Sequence, residues 1–175
     1  NELYEIIWPK ARELWHKSPA RPYCVSIGIS SWEALWARFE GDDENLKTLR
    51  SWAPTYRKQA WYRSLLECGV DDPAFAQYLS EEFQRQRRKL HDVYSDVKVG
   101  LSRLKKIYNL ALVTNGAPDL QLEKIRSSKL KKYFDEIVIS GEVGVGKPDP
   151  EIFDIVLKRI GNRADEAVMI GNSLE

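Results

Sequence analysis

Hydrophobic and polar positions follow two different rhythms along this chain. In the second half, short apolar runs lie between longer helical patterns. Leu110-Ala111-Leu112-Val113, Glu136-Ile137-Val138-Ile139-Ser140 and Ala167-Val168-Met169-Ile170 show little polar alternation. Runs of this kind predict strands buried on both faces. Helical spacing predicts one helix over about 118–130 and another over about 151–160, the latter with Ile152, Phe153, Val156 and Ile160 on one face. The resulting order β-α-β-α-β predicts a parallel, Rossmann-like sheet with right-handed crossovers.

The first half reads as helices. Leu3, Ile6, Ile7, Ala11, Leu14 and Trp15 recur at three- and four-residue spacing, and Ser18-Pro19-Ala20-Arg21-Pro22 ends that pattern. Ser31 is placed to cap a second helix through Trp32, Leu35, Trp36 and Phe39, with Gly41 as its stop. Leu46, Leu49 and Trp52 predict a short segment before Pro54, and residues 56–68 a further helix stopped by Gly69. Asp72 and Pro73 then open a long helix whose expected buried face is Phe75, Leu79, Phe83, Leu90 and Val93. All six Trp lie in this half. The expected organisation is a helical-bundle domain over 1–93 and an α/β domain over 94–175.

Composition narrows the classes. With 175 residues one domain is the default and two small ones are allowed. Lys plus Arg number 27 against 26 Asp plus Glu, a formal charge of +1, which gives no support for nucleic acid or an anionic membrane as partner. Cys24 and Cys68 have no CxxC spacing, which suits a reduced, cytoplasmic protein. No apolar run approaches the roughly 18 residues of a membrane helix, and no signal peptide is visible. His16 and His91 are isolated, and the basic run Arg85-Gln86-Arg87-Arg88-Lys89 reads as a solvated helix face.

Chemistry-bearing residues gather at the predicted strand ends. Ligands of parallel sheets bind beyond the carboxyl ends of the strands, and Thr114, Asn115, Gly116, Lys147 and Asn172 all fall there. Thr114 offers a hydroxyl donor. The amides of Asn115 and Gly116 stand where a helix is expected to begin, and helix N-termini favour anions. An ordinary helix cap is the competing reading of the same residues. Lys147 follows a Gly-x-Gly loop and precedes Pro148; its ammonium is a compact charge with three donors. The competing reading there is a solvated loop lysine. Asp149 reads as the cap of the following helix. Trp32 or Trp36 is placed to face a ligand, and residues 26–31 read as a cap loop beside the cleft.

Val113-Thr114-Asn115-Gly116, the loop 140–150 and Ile170-Gly171-Asn172-Ser173 resemble the second, third and fourth motifs of the haloacid dehalogenase superfamily, in order and spacing as well as in letters. The tracts 121–125 and 141–153 resemble the branch of that superfamily containing N-acylneuraminate-9-phosphatase and related sugar phosphatases. The resemblance implies an α/β core with a helical cap inserted after its first strand. That strand, with the family's pair of aspartates two residues apart, would lie upstream of Asn1, and a second acid of the fourth motif shortly beyond Glu175. No Asp-x-Asp occurs in the chain. The chain by itself is therefore expected to be inactive.

The resemblance implies a hydrolase, with magnesium as cofactor and a small phosphorylated metabolite as substrate. Lys147 would be catalytic, Thr114, Asn115 and Gly116 would bind phosphate, and Asn172 would occupy the position of the usual aspartate that binds the metal. A monomer or homodimer is expected. The leading reading is a phosphatase working through an aspartyl-phosphate. A haloacid dehalogenase-type hydrolase and a non-catalytic ligand-binding protein are the alternatives.

Overall fold

The computed structural model describes residues 2–171. Contacts divide the chain into two compact units, one made of the residues up to Val25 together with Ile29–His91, the other of Ser26–Gly28 with the chain from Asp92 onward. Residues 26–28, expected to belong to a loop of the helical half, are thus part of the α/β unit.

The helical unit carries α1 (Glu2–Trp15), most of α2 (Arg21–Ser26), α3 (Ser31–Ala34), α4 (Glu44–Glu67) and α5 (Pro73–Arg87). Helix α4 packs against both α1 and α5. Ile7, Ala11 and Trp15 of α1 and Leu49, Ala53, Tyr56 and Ala60 of α4 are buried. The polar tips of two buried rings are satisfied by backbone: Tyr56 Oη donates to Ser31 O at 2.7 Å and Trp15 Nε1 to Ile29 O at 3.2 Å.

Three expectations fail in this unit, each for a local reason. Residues 44–67 form one helix, with Pro54 inside it. Proline forfeits one backbone bond, but Leu46, Leu49, Ala53, Tyr56, Ala60 and Leu65 continue a single buried stripe across it. Asp43 caps this helix, accepting from the N–H groups of Asn45 and Leu46 at 2.8 and 3.2 Å. The helix expected from Ser31 to Gly41 is only four residues long, and its cap is Ser30, paired with Glu33 in a capping box. Buried Arg57 donates to Ala34 O at 2.9 Å, to Ala37 O, and to Gln84 Oε1 at 3.1 Å. It thereby takes carbonyls that a longer helix would have used. Finally, α5 ends before Leu90 and Val93, and its buried positions are Ala76 and Ser80, while Phe75 and Leu90 are exposed.

Two smaller corrections concern Trp36 and the basic run. The Arg87 guanidinium stands 4.8 Å from the Trp36 ring centroid, and Arg88 donates to Trp36 O. These arginines therefore pack on the bundle instead of forming a purely solvated face. Trp36 itself is 1% exposed, which removes it as a group facing a ligand.

The α/β unit contains α6 (Val97–Leu104), β1 (Ala111–Thr114), α7 (Pro118–Ser127), β2 (Glu136–Ile139), α8 (Ser140–Val143) and α9 (Pro150–Ile160). Strands β1 and β2 are parallel, in register from Ala111↔Glu136 to Thr114↔Ile139. Asp135 locks the start of this ladder. Its N–H donates to Leu110 O at 2.7 Å, while its Oδ2 accepts from Leu110 N–H at 2.9 Å. Lys105 Nζ reaches Oδ1 at 3.2 Å. The Leu110 N–H first, and then Lys105, hold the Asp135 carboxyl below the usual carboxylate range. Helix α9 is capped by Asp149, starts with Pro150 and ends at Gly161. Its Ile152 and Val156 form a buried cluster with Val138 of β2, and Val143, Val145 and Phe153 pack on it.

The third expected strand is not formed. Residues 167–170 pair with nothing in the described sheet, which has two strands, and Val168 and Ile170 are 88% and 83% exposed. Strand β1 uses only its β2-facing edge, and its four residues are half-buried instead of fully buried. A cavity of about 780 Å³ runs along the unit, lined by Leu110, Ala111 and Val113, by Phe153, Val156 and Ile160, and by residues 167–170. With that space beside it, the apolar run has no neighbour for its backbone groups, and a strand is defined by such a neighbour.

Candidate active site

Because Thr114 pairs with Ile139, the two strands end level, and the residues that follow, Asn115 and Ser140, the latter opening α8, come directly after that level end. Ser140 is completely buried. Its hydroxyl donates to Ile27 O at 2.5 Å and accepts from Gly116 N–H at 2.9 Å. The same Gly116 N–H lies 3.1 Å from Ile27 O. These bonds draw the segment Ser26–Gly28 onto the strand ends. Sequence reasoning took Ser140 as the last residue of a strand and missed this role; a lone hydroxyl closing an apolar run was its only signal.

Gly116 has φ +132°, a backbone conformation in which any L side chain is strained, and a Cβ there would also displace the Gln121 side chain. Its N–H, expected to serve an anion, is directed at internal acceptors. The helix behind it starts at Pro118, where the spacing predicts it, with Ala117 in the N-cap position, so Asn115 and Gly116 precede the helix and do not open it. The Thr114 hydroxyl is 3.3 Å from Gln121 Oε1 and 3.4 Å from Asn115 O, long contacts that hold it weakly.

Lys147 is carried by a loop anchored on both sides. Val143 and Val145 pack on the Val138–Ile152–Val156 cluster. Asp149 Oδ1 accepts from Glu151 N–H at 2.9 Å, which is the capping role expected of it. Gly146 sits so close to its surroundings that a Cβ would meet Ser26 O at 2.9 Å and Asn115 Oδ1 at 3.0 Å. Lys147 Nζ donates to Val113 O at 2.9 Å, which places the ammonium at the carboxyl end of β1. The Lys147 backbone is held by Asn115, whose Oδ1 accepts from Lys147 N–H and whose Nδ2 donates to Lys147 O, both at 2.8 Å. The structure thus brings Thr114, Asn115, Gly116 and Lys147 together at one strand end. Asn172 lies outside the described residues.

Other acidic residues and His91 take structural parts. Asp43 and Asp72 cap α4 and α5, and Asp71 accepts from Tyr62 Oη at 2.7 Å. His91 lies beside the Trp36 ring. Among the described residues no group of three or more His, Cys, Asp or Glu is placed to hold a metal ion, and no helix is long and apolar enough to cross a membrane.

Residues 5–175 match the model of a hydrolase family, the haloacid dehalogenase-like hydrolases. The chain is 38% identical over 165 residues to a phosphoserine phosphatase of Thermus thermophilus, covering 94% of this chain and 65% of that protein. It is 34% identical over 177 residues to the N-acylneuraminate-9-phosphatase of Mus musculus, covering 99% of this chain and 60% of the relative. A glyceraldehyde 3-phosphate phosphatase of Methanopyrus kandleri is 39% identical over 83 residues, 47% of this chain and 36% of its own length. The chain therefore spans less than two thirds of the length of these relatives. With a family match over nearly its whole length, the chain belongs to the haloacid dehalogenase-like hydrolases.

Proposed function

We propose that this chain is part of a phosphatase acting on a small phosphorylated metabolite. The observation that carries the reading is the placement of Lys147, its ammonium fixed at the end of β1, the strand whose last residue, Thr114, has a weakly held hydroxyl. A fixed cation and a weakly held hydroxyl donor suit a group whose negative charge spreads over several oxygens during transfer. The three relatives described above are named as phosphatases of phosphoserine, N-acylneuraminate 9-phosphate and glyceraldehyde 3-phosphate, which supports the phosphoester class.

In this reading an aspartate from outside these 175 residues attacks phosphorus and the ester P–O bond breaks. A second acid protonates the leaving oxygen, and water then cleaves the aspartyl-phosphate. Lys147 offsets the repulsion between the attacking carboxylate and the phosphoryl group. Thr114 donates to a phosphoryl oxygen, and Gly116 supplies the turn that presents Thr114. The cavity beside β1 suits a strand bearing the aspartates, since many of its lining side chains are aliphatic or aromatic, it follows the free edge of β1, and it is lined also by the unpaired run 167–170.

Magnesium is the cofactor of this proposal, but the described residues do not by themselves form a site for it. The Asn115 amide oxygen is committed to Lys147 N–H, and no cluster of acids lies among them. Hard cations take carboxylates and water, so the ligands would come from the aspartates outside the chain and from position 172.

The test is hydrolysis by the full-length protein of a panel containing the three phosphoesters of the relatives, with and without magnesium. Lys147→Ala is expected to lower kcat by about a hundredfold or more, the scale of losing one electrostatic stabiliser. It should leave the melting curve nearly unchanged, as expected for a loop lysine. Undiminished turnover in that variant, or no hydrolysis of any phosphoester by the parent protein, refutes the reading.

A further inference from the structure

Resting on the phosphatase reading above, we infer that the Asn115 side chain is a positioning residue for Lys147, and that it does not itself contact the substrate. Residues at such a strand end are naturally read as ligand contacts, yet this amide is used twice on one neighbour. Its oxygen accepts from Lys147 N–H and its nitrogen donates to Lys147 O, each at 2.8 Å. The two bonds fix the orientation of the amide group, because exchanging oxygen and nitrogen would set donor against donor and acceptor against acceptor. They also fix the Lys147 peptide in two directions, which a single bond would not do.

The surroundings hold the amide in place. A Cβ at Gly28 would lie 2.5 Å from Asn115 Nδ2 and 2.9 Å from Asn115 Cβ, so the backbone of residue 28 lies directly against this side chain. Gly146 closes on the amide oxygen from another side. The segment bearing Gly28 is itself tied down by Ile27 O, which accepts from Ser140 Oγ and Gly116 N–H. Lys147 is then held at both ends of its length: its peptide by Asn115 and its ammonium by Val113 O. A lysine side chain has several freely rotating bonds, and fixing its root confines where its tip can go. Displacing a catalytic group by about an ångström costs on the order of a hundredfold in rate.

The inference makes a specific demand on a double-mutant cycle in the full-length phosphatase. Asn115→Ala is expected to lower kcat by about 10- to 100-fold with little change in KM, because it displaces Lys147 and removes no substrate contact. In a Lys147→Ala background the same change should lower kcat no further, since nothing is left to position. Amide hydrogen exchange provides a readout independent of activity: the Lys147 N–H should exchange faster in Asn115→Ala than in the parent protein. If Asn115→Ala does not fold, Asn115→Asp serves instead. It keeps the volume and the acceptor for Lys147 N–H but turns an oxygen toward Lys147 O, and it should show the same loss of kcat and the same silence in the Lys147→Ala background. Losses that multiply in the double variant would mean that Asn115 touches the substrate and would overturn the inference. A raised KM with unchanged kcat, or unaltered exchange at Lys147 in Asn115→Ala, would do the same. Full activity in Lys147→Ala alone defeats the phosphatase reading itself, and the inference with it, and is distinguished from those outcomes by appearing in the single variant.

Discussion

Replacing Ser140 by alanine tests the bonding at the strand ends directly. The hydroxyl is fully buried and makes two bonds, to Ile27 O at 2.5 Å and from Gly116 N–H at 2.9 Å. A buried hydrogen bond contributes about 0.5–1.5 kcal/mol net, and a buried partner left orphaned costs about 1–3 kcal/mol. The first figure applies here, because the two groups that lose the hydroxyl already face each other, with Gly116 N–H lying 3.1 Å from Ile27 O. Neither is left without a partner. The expected loss is therefore about 1–2 kcal/mol, toward the lower end of two bonds. For a chain of this size that corresponds to a fall in Tm of about 2–8 °C. Thermal unfolding followed by circular dichroism, for parent and variant side by side, measures it. A fall below about 1 °C would mean the hydroxyl bonds contribute nothing, and a loss above about 4 kcal/mol would mean that Gly116 and Ile27 do not sustain each other. Either result refutes the reasoning.

Other substitutions bear on separate parts of the molecule. Arg57→Ala leaves the Ala34 and Ala37 carbonyls without their buried donor and should cost about 2–5 kcal/mol, read from urea unfolding; a change under about 1 kcal/mol would show that those bonds are dispensable. Asp135→Asn should destabilise at neutral pH and not in strong acid. The folded carboxyl titrates below its ordinary value, so its contribution is present above about pH 4 and disappears as pH falls through the lowered folded value. Parent and variant melting temperatures should therefore converge as pH falls through that lowered value, and a constant gap across the series would contradict this. In the full-length protein, Asn172→Asp should lower the magnesium concentration needed for half-maximal hydrolysis, since the hard cation gains a carboxylate; an unchanged midpoint refutes the assignment of that position.

The elements readable from sequence were those whose signals are local. Asp72-Pro73 and Asp149-Pro150 mark helix starts that the structure keeps, and the spacing of Ile152 and Val156 marks the face that is buried. Strands β1 and β2 were legible because each pairs with the other. The run 167–170 carries an equally strong apolar signal, yet it has no strand partner among the described residues, because a strand depends on its neighbour as much as on its own residues. Pro54 misled because a break in propensity says nothing of the tertiary burial that overrides it, and Arg57, 20 and 23 residues downstream of the carbonyls it takes, decides where α3 stops. At the site, Thr114, Asn115 and Lys147 were legible from their order along the chain. The mutual bonds of Asn115 and Lys147, and the buried hydroxyl of Ser140, were not, because they join residues 24 to 113 positions apart.

The placement of Ser26–Gly28 bears on how such proteins can be recombined. A chain that divides once between two units can exchange either one by a single cut. Here the covalent path passes from the helical unit to the α/β unit at residue 26, returns at residue 29 and leaves again after His91. Transplanting residues 1–91 as a cassette would also carry over Ile27, whose carbonyl receives Ser140 Oγ and Gly116 N–H of the recipient, and Gly28, which lies against the recipient's Asn115. A foreign helical unit would therefore arrive with three residues of someone else's strand-end loop. Chimaeras should be cut in two pieces, up to Val25 and from Ile29 to His91, with the recipient's own 26–28 kept between them.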